Sequence, residues 1–229
     1  MSLIIGYLPV CDALPFFVAY DQGFFRDHGL SVELKEFSTG NSIISASLTG
    51  RLIGGLIGSI PLLFAARKNR LLRLLADGGH INPQISCYFG IIARKDSGIE
   101  RMSDLRKKQV AINGYNTNSD ILLRLAGRQA GILESINIVT MPMWTMVDSL
   151  EKKLIDAAVT CEPYISMGIK KNKIKVIIDS NEIIPEFQSS FICINKDIKN
   201  EGIIDKLKIT YETSVDFIMN NPDPSRQIL

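Results

Sequence analysis

Two stretches of the chain, 102 residues apart, resemble each other: residues 47–61 read SLTGRLIGGLIGSIP and residues 149–163 read SLEKKLIDAAVTCEP. Each begins as an amphipathic helix that we predict to end at a Leu-Ile pair, then crosses small residues and continues as a short apolar strand that stops at a proline. Helices that alternate with buried strands are typical of a parallel α/β sheet. The two stretches therefore indicate an α/β unit that occurs twice.

The regions around these stretches also correspond. Residues 3–7 and 109–113 are each predicted to form a strand, which a polar loop and a helix follow. We predict that these helices end at Gly29 and Gly131, because glycine readily adopts the left-handed conformation that is favoured after a helix C-terminus. Further strands are predicted at 31–37, 73–77, 137–141 and 175–179. Each half thus contains the same order of strands and helices.

We predict two lobes, one formed by residues 1–88 with 190–229 and the other by residues 89–189. Apolar, strand-like runs at 85–93 and 189–195 lie at the boundaries, and we interpret them as the two crossings of a hinge. Cys87 and Cys193 fall on these runs, where two buried free thiols are favoured over a disulfide. Residues 203–219 are predicted to form a final amphipathic helix that returns to the first lobe.

Composition and charge disfavour several classes of protein. The chain has 229 residues and a formal net charge of +2, and no helix-length stretch gathers its cations on one face, which disfavours a nucleic-acid partner. The lysines at 170, 171, 173 and 175 are interpreted as a solvated loop edge. The longest apolar run, residues 52–66, is shorter than the roughly 20 residues of a membrane span, and glycines and a proline interrupt it. We expect no transmembrane segment in this chain.

Cysteine and histidine spacing predicts no metal site and no cofactor, since the four cysteines form no CxxC pair and the two histidines are far apart. No Walker loop, GxGxxG motif or Ser-His-Asp order accompanies the strands, so nucleotide-binding and hydrolase functions have no motif to support them. We expect no secretory signal before the first strand, because Leu3 and Ile4 already belong to the predicted fold. The predicted location is extracytoplasmic if a signal has been removed from the chain, and cytoplasmic otherwise.

Candidate binding residues follow from the ends of the predicted strands, because ligands of open α/β sheets bind beyond the carboxyl ends of the strands. Five loops meet this description: residues 8–14, 59–61, 78–83, 114–119 and 160–163. They contain no Lys or Arg. Because a phosphate dianion usually needs such a cation, the loops favour a neutral or cationic ligand, or a monoanion held by helix amides.

Several side chains in or near these loops have two interpretations. Asp12 contacts the ligand or caps the next helix, and Asn116, Thr117, Asn118 and Ser119 likewise bind the ligand or only cap the helix that follows them. Tyr115 and Trp144 stack on a ligand ring, and the alternative for Trp144 is a core or surface position. Glu162 faces the ligand or forms a surface ion pair, and His80 lies in a binding loop or in a solvated turn. We keep both interpretations open at each of these positions.

Three stretches near the N-terminus carry a resemblance to a known family: IGYLP at 5–9, PFFVA at 15–19 and GFFRDHGLSVEL at 23–34. They resemble the opening of the type II periplasmic substrate-binding proteins, in the branch that serves importers of thiamine precursors, alkanesulfonates, taurine and nitrate. Residues 93–99, 102–105 and 154–163 are similar to motifs of that family's second lobe. The resemblance implies a two-lobed α/β fold with a central cleft and a two-strand hinge.

The resemblance also implies which residues hold the ligand when the hinge closes: Pro9, Cys11 and Asp12, then Ser59, then Asn116 to Ser119, with Glu162 facing them. Two enzyme groups share this fold, a chorismate dehydratase and a self-sacrificing thiamine-pyrimidine synthase. The histidine that the synthase consumes corresponds to Pro61 here, and its cysteine cluster is absent.

The main hypothesis is a solute-binding protein of an ABC-type importer, which has a small-molecule ligand, an importer permease as its partner and no catalytic residue. One alternative is a soluble enzyme that uses Asp12, His80 or Glu162 for proton transfer. Another is a ligand-sensing module.

Overall fold

The computed structural model describes residues 2–69, 72–84 and 88–228. The strands within these ranges are β1 (Leu3–Tyr7), β2 (Val32–Glu36), β3 (Gly54–Gly58), β4 (Leu72–Ile81), β5 (Phe89–Arg94), β6 (Gln109–Ile112), β7 (Asn137–Thr140), β8 (Ala157–Cys161), β9 (Ile174–Asp179) and β10 (Phe187–Asn195). The α-helices are α1 (Leu14–Asp21), α2 (Phe24–Asp27), α3 (Gly40–Leu48), α4 (Ser59–Arg67), α5 (Asn118–Gln129), α6 (Met143–Glu151), α7 (Tyr164–Lys170), α8 (Glu201–Asn220) and α9 (Pro222–Ile228).

The chain divides into two compact units, residues 1–79 with 189–229 (unit 1) and residues 80–188 (unit 2). The divisions fall inside β4, between Gly79 and His80, and inside β10, between Gln188 and Ser189. The lobe boundaries expected from the sequence, at 88/89 and 189/190, stay predictions. Cys87 lies outside the described residues.

The sheet of unit 1 has the strand order β2-β1-β3-β10-β4, in which β1 runs parallel to β2 and β3 while β10 runs antiparallel to β3. Cys193 of β10 is fully buried and packs in the core with Ile43 and Ile57. Cys193 belongs to β10, the strand inside which the chain passes from unit 2 to unit 1, so its place at a hinge stays a prediction. Gly54 and Gly55 are required in β3, since a Cβ on either would lie 2.0 Å from a carbonyl oxygen of the neighbouring strand.

The sheet of unit 2 has the order β7-β6-β8-β5-β9, with β6 parallel to β7 and β8 and with β5 antiparallel to β8. The two sheets have the same arrangement: β2, β1 and β3 correspond to β7, β6 and β8, the antiparallel strand β10 to β5, and the edge strand β4 to β9. This correspondence confirms the repeat inferred from the sequence. The antiparallel strand precedes the repeated elements in unit 2 and follows them in unit 1. Two mixed α/β sheets with flanking helices agree with the predicted fold class.

The helix ends differ from the prediction. α3 ends at Leu48 and α6 at Glu151, before the Leu-Ile pairs, because each is stopped by a left-handed residue, Gly50 (φ 74°) and Lys153 (φ 59°). The next amide closes each end by bonding the carbonyl five residues back, at 3.0 Å after α3 and 2.9 Å after α6. Gly50 and Lys153 are equivalent and 103 residues apart, so the predicted alignment is off by one residue at this point.

Other predicted boundaries are confirmed or corrected. Gly29 (φ 71°) and Gly131 (φ 63°) are left-handed as expected, and α8 covers the predicted final helix. The predicted loop at 59–61 is the first turn of α4, and most of the predicted loop at 78–83 is the end of β4, which continues to Ile81 beside β10. None of the helices in the described ranges is long and apolar enough to cross a membrane.

Candidate functional site

The carboxyl ends of three parallel strands, β6, β7 and β8, meet at one edge of the unit 2 sheet. Residues 113–117 follow β6, α6 begins shortly after β7, and Glu162 with Pro163 connects β8 to α7. This edge carries most of the ligand-binding residues that the sequence predicts in this unit: Tyr115, Asn116, Thr117, Asn118, Ser119, Trp144 and Glu162.

Hydroxyl groups hold the loop between β6 and α5 in a fixed conformation. The Thr117 hydroxyl donates to the carbonyl of Gly114 at 2.6 Å and accepts from the amide of Asp120, which caps α5. The Ser119 hydroxyl donates to Oδ1 of Asn113 at 2.7 Å. Thr117 and Ser119 are buried and hold the loop through these bonds, and their contact with a ligand stays a prediction.

Asn116 and its neighbours form the accessible part of the same loop. Asn116 has a left-handed backbone (φ 59°), and its amide donates to the carboxylate of Asp120 at 2.8 Å. Tyr115 and Asn116 are exposed and Asn118 is half-buried at the start of α5. The accessible groups of this loop are therefore the Tyr115 ring, the two asparagine side chains and the N-terminus of α5.

Asp120 and Arg124 form an ion pair that the sequence analysis did not single out. Arg124 Nε donates to Oδ1 of Asp120 at 2.7 Å, and the side chain of Asp120 is only 3% exposed. The pair brings a cation close to the loop, but its charge is matched by the buried carboxylate. The spacing of four residues on a helix is the signal that predicts such a pair.

Two aromatic rings are exposed at this edge. Tyr115 is 52% exposed and Trp144, the second residue of α6, is 38% exposed. The core alternative for Trp144 does not agree with this exposure. Because large rings gain from contact with a flat ligand, Tyr115 and Trp144 are the side chains here best suited to stacking.

Glu162 and Thr160 lie at or near the end of β8. Both carboxylate oxygens of Glu162 accept hydrogen bonds from Ser166, from its amide at 3.0 Å and from its hydroxyl at 2.8 Å, so Glu162 caps the first turn of α7. The Thr160 hydroxyl is buried and has no hydrogen-bond partner among the described residues. Buried hydroxyls are normally paired, which marks Thr160 as a polar group of this strand with unused hydrogen-bonding capacity.

The carboxyl edge of the unit 1 sheet holds Asp12, in the short turn that joins β1 to α1. Its Oδ2 accepts hydrogen bonds from the hydroxyls of Ser189 (3.2 Å) and Ser190 (2.5 Å), both buried in β10. The same carboxylate packs closely against Gly79, since a Cβ at that position would lie 2.7 Å from both Oδ1 and Oδ2. Asp12 therefore ties the turn after β1 to the start of β10, a role the sequence did not predict because the partners are 177 and 178 residues away.

The other predicted residues of unit 1 lie along the same edge. Pro9 and Cys11 precede α1 and are half-buried, and Cys11 forms no disulfide with another described cysteine. Ser59 is the first residue of α4, at the carboxyl end of β3, rather than part of a loop. The turn after β1 and the N-terminus of α4 thus belong to the same edge of the sheet.

His80 lies within β4 and not in a loop, so this prediction is corrected. Its Nε2 lies 3.0 Å from Oε1 of Glu186, and its Nδ1 lies 3.4 Å from Oε1 of Gln188. The strand continues through the two glycines before His80 because it pairs with β10. His80 is exposed, and its described contacts are those of a surface strand residue.

Burial is the main cause of a raised pKa at three side chains. Burial raises the pKa of the Cys193 thiol to about 12, which keeps it protonated and unreactive near neutrality. Burial, followed by the negative charges of Asp12 and Asp77, raises the pKa of Tyr211, whose hydroxyl donates to the carbonyl of Asp77 at 2.9 Å. Burial and then Glu36 raise the pKa of Tyr7 at the end of β1. Within the described residues, no group of three or more His, Cys, Asp or Glu side chains is arranged to hold a metal ion.

A family assignment agrees with this geometry. Residues 11–225 match the family model described as "NMT1/THI5 like". The chain belongs to the NMT1/THI5-like family. The match includes both units and all the carboxyl-edge residues discussed above except Pro9.

A relative of this NMT1/THI5-like chain is the nitrate import ATP-binding protein NrtC of Synechocystis sp. strain PCC 6803, with 29% identity over 193 residues. The aligned part is 75% of this chain and 28% of NrtC, so the chain spans less than a third of that relative's length. A second relative, the putative aliphatic sulfonates-binding protein of Bacillus subtilis, is 22% identical over 72% of this chain and 50% of its own length.

Solved structures with the same fold include the periplasmic aliphatic sulphonate binding protein SsuA of Escherichia coli, with a TM-score of 0.76 and 21% identity. The superposition covers 99% of this chain and 77% of SsuA. The periplasmic nitrate-binding protein NrtA of Synechocystis PCC 6803 gives a TM-score of 0.79 at 14% identity, over 100% of this chain and 65% of NrtA. The NMT1/THI5-like chain therefore has the periplasmic-binding-protein fold that the sequence resemblance implied.

Proposed function

We propose that this chain binds a small organic solute for an ABC-type importer, at the carboxyl edges of its sheets. The observation that carries the proposal is the edge of unit 2, where the exposed rings of Tyr115 and Trp144 accompany the N-terminus of α5. The buried hydroxyls of Thr117 and Ser119 fix the loop beside them. A rigid, polar loop with exposed aromatic rings suits a small flat or weakly charged ligand.

The charge of this edge favours a neutral, cationic or monoanionic ligand. Arg124 is paired with Asp120, and the N-terminus of a helix supplies only about half a positive charge. The names of the relatives and of the structures with this fold mention nitrate and sulfonates, which are monoanions. A monoanion at the start of α5 is therefore consistent with both the geometry and the family.

An importer permease as partner and an extracytoplasmic location belong to the same proposal. They are supported by membership of the NMT1/THI5-like family and by the periplasmic proteins that share the fold. The two lobes with boundaries at 88/89 and 189/190, and their closure on the ligand, stay predictions.

One observation favours a second candidate, a ligand-sensing module. NrtC is named an ATP-binding protein, and this chain corresponds to 28% of its length. A sensing module changes the ATPase rate of its partner when the solute binds. A capture protein instead increases the amount of solute transported, so reconstituted importer vesicles separate the two candidates.

Binding is tested by titrating the full chain with nitrate, ethanesulfonate and an aminopyrimidine. Trp144 is the single tryptophan of the chain, so its fluorescence reports directly on this edge. We expect one of these ligand classes to change the Trp144 emission and to raise the melting temperature with increasing ligand concentration.

Variants locate the site. Tyr115→Ala is expected to weaken binding at least fivefold, since a stacked ring is worth about 1 kcal/mol. Tyr20→Ala is the matched control, because Tyr20 is 64% exposed on α1 of unit 1. Equal affinity in Tyr115→Ala and Tyr20→Ala contradicts a ligand site at the edge of unit 2.

A further inference from the structure

A basin lined mostly by charged side chains lies in unit 2, beside the carboxyl end of β5 and the C-terminal ends of α6 and α7. Its volume is about 470 Å³. Four cations and two carboxylates line it: Arg94, Lys95, Lys153, Lys173, Asp96 and Glu151. We call this feature the lysine basin. It includes one of the lysines that the sequence analysis assigned to a solvated loop edge.

The charges in the lysine basin do not cancel. Arg94 is paired with Asp96, and Nζ of Lys173 lies 3.3 Å from Oε2 of Glu151. Lys95 donates to the side-chain oxygen of Asn172, which is neutral. With four cations and two carboxylates, the lining has an excess of two positive charges, which corresponds to Lys95 and Lys153.

Two helix ends hold the backbone of the basin in place. Lys153 is the left-handed residue after α6, and its amide donates to the carbonyl of Leu150 at 3.0 Å. Asn172 (φ 57°) is the left-handed residue after α7, and the next amide, of Lys173, donates to the carbonyl of Gly168 at 3.0 Å. Because both turns are closed by such bonds, the two lysines project from fixed positions.

Lys153 occupies a position where glycine is the ordinary residue. Its equivalent in unit 1 is Gly50, which closes α3 in the same way. A left-handed backbone is unfavourable for a lysine and costs nothing sterically for a glycine. Lys107 has the same left-handed backbone outside the basin, so Lys153 is distinguished by the place of its side chain in a lining with excess positive charge.

The negative partial charges at the C-terminal ends of α6 and α7 weaken the attraction of the basin for an anion but do not abolish it. Each carries at most about half a negative charge, so α6 and α7 together offset about one of the two excess positive charges. Arg94 already bonds the carbonyl of Leu150 at the end of α6. Lys152 and Lys171 are exposed and adjoin lining residues in the chain. The basin therefore remains positive.

We propose that the lysine basin binds a phosphate-class dianion, separately from the solute proposed for the carboxyl edge. The basin keeps a net positive charge after the helix C-termini are taken into account, and lysine ammonium groups are suited to phosphate oxygens. The anion is either free in solution or the headgroup of an anionic lipid. Because the basin is open, binding is expected to weaken as the salt concentration rises.

The test is an NMR titration of the full ¹⁵N-labelled chain with inorganic phosphate at pH 7.5 and constant ionic strength. The amide signals of Lys95, Lys153 and Lys173 are expected to shift and saturate, while chloride at the same ionic strength leaves them unchanged. Lys153→Gly is expected to weaken phosphate binding about two- to fivefold, as the loss of one exposed charge contact does. Its melting temperature is expected to be equal to or higher than that of the wild type, since glycine relieves the strain.

Lys107→Gly is the matched control, because Lys107 is also left-handed (φ 59°) and does not line the basin. Equal phosphate affinity in Lys153→Gly and the wild type overturns the proposal, as does an equal loss in Lys107→Gly or an equal shift with chloride. Vesicles of phosphatidylglycerol and of phosphatidylcholine identify the source of the anion. Phosphate-sensitive binding to the anionic vesicles alone assigns a lipid headgroup, whereas phosphate binding without vesicle binding assigns a free anion.

Discussion

The carboxylate of Asp12 accepts a hydrogen bond from the hydroxyl of Ser190 at 2.5 Å, which joins the turn after β1 to the start of β10. The two residues are 178 positions apart in the chain. This bond belongs to the framework of unit 1, so a variant at Asp12 changes stability as well as any ligand contact.

We therefore predict that Asp12→Ala lowers the free energy of unfolding by about 1–3 kcal/mol, because it leaves the buried Ser190 hydroxyl without its carboxylate partner. Urea unfolding followed by circular dichroism measures this change. Asp27→Ala is the control, because the Asp27 side chain is 60% exposed and its ion pair with the exposed Arg26 is long, at 3.8 Å. Equal stability of Asp12→Ala and wild type contradicts the structural role.

A second prediction concerns Arg124. Arg124→Met removes the cation from a carboxylate that is 3% exposed, and we expect it to destabilise the chain by about 1–3 kcal/mol. Adding Asp120→Asn to Arg124→Met is expected to recover much of this loss, since no buried charge then remains. Arg128→Met on the same helix is exposed and serves as the control. A double variant no more stable than Arg124→Met would show that the buried charge is not the cause.

Alkaline pH is expected to destabilise the chain through Cys193. Burial raises the pKa of this thiol from 9.0 to about 12, so the folded state retains its proton more tightly than the unfolded state does. The resulting stability is fully present below pH 9 and is lost as the pH rises from 9 through 12. Between pH 8 and pH 10 the loss is about 1.4 kcal/mol.

The measurement compares wild type with Cys193→Ala in urea at pH 8, 9 and 10 under reducing conditions. The stability advantage of wild type over Cys193→Ala should shrink by about that amount across the range. Cys11→Ala controls for the removal of a thiol that is only half-buried. A constant difference between wild type and Cys193→Ala would argue against ionisation of a buried thiol.

A fourth prediction concerns the charge of the solute. We expect an aminopyrimidine to bind the carboxyl edge more tightly than its phosphate ester, because the Arg124 charge there is matched by Asp120 and a dianion loses several kcal/mol of hydration on burial. Calorimetry on this pair of ligands measures the preference. The Lys153→Gly variant is used for both titrations, so that the lysine basin contributes less to the phosphorylated ligand. Tighter binding of the phosphate ester would mean that another cation reaches the site.

The sheets could be predicted from the sequence because apolar runs and glycines repeat at matching positions in the two halves. The end of α6 could not, since Lys153 gives no sign in the sequence of its left-handed backbone. The position of His80 was missed because β4 continues past two glycines only through its pairing with β10. In the candidate site, the loop before α5 was predictable from its cap-forming residues. The bond between Asp12 and Ser190 depends on tertiary structure and leaves no local pattern.

The position of β10 between β3 and β4 has a consequence for biosynthesis. Unit 2 is one continuous segment, residues 80–188, whereas the sheet of unit 1 needs residues 189–195, which leave the ribosome later. Domains generally fold as they emerge. The nascent chain therefore completes its second unit while its first still lacks a central strand, and β3 and β4 wait for their shared partner until residues 189–195 have left the ribosome.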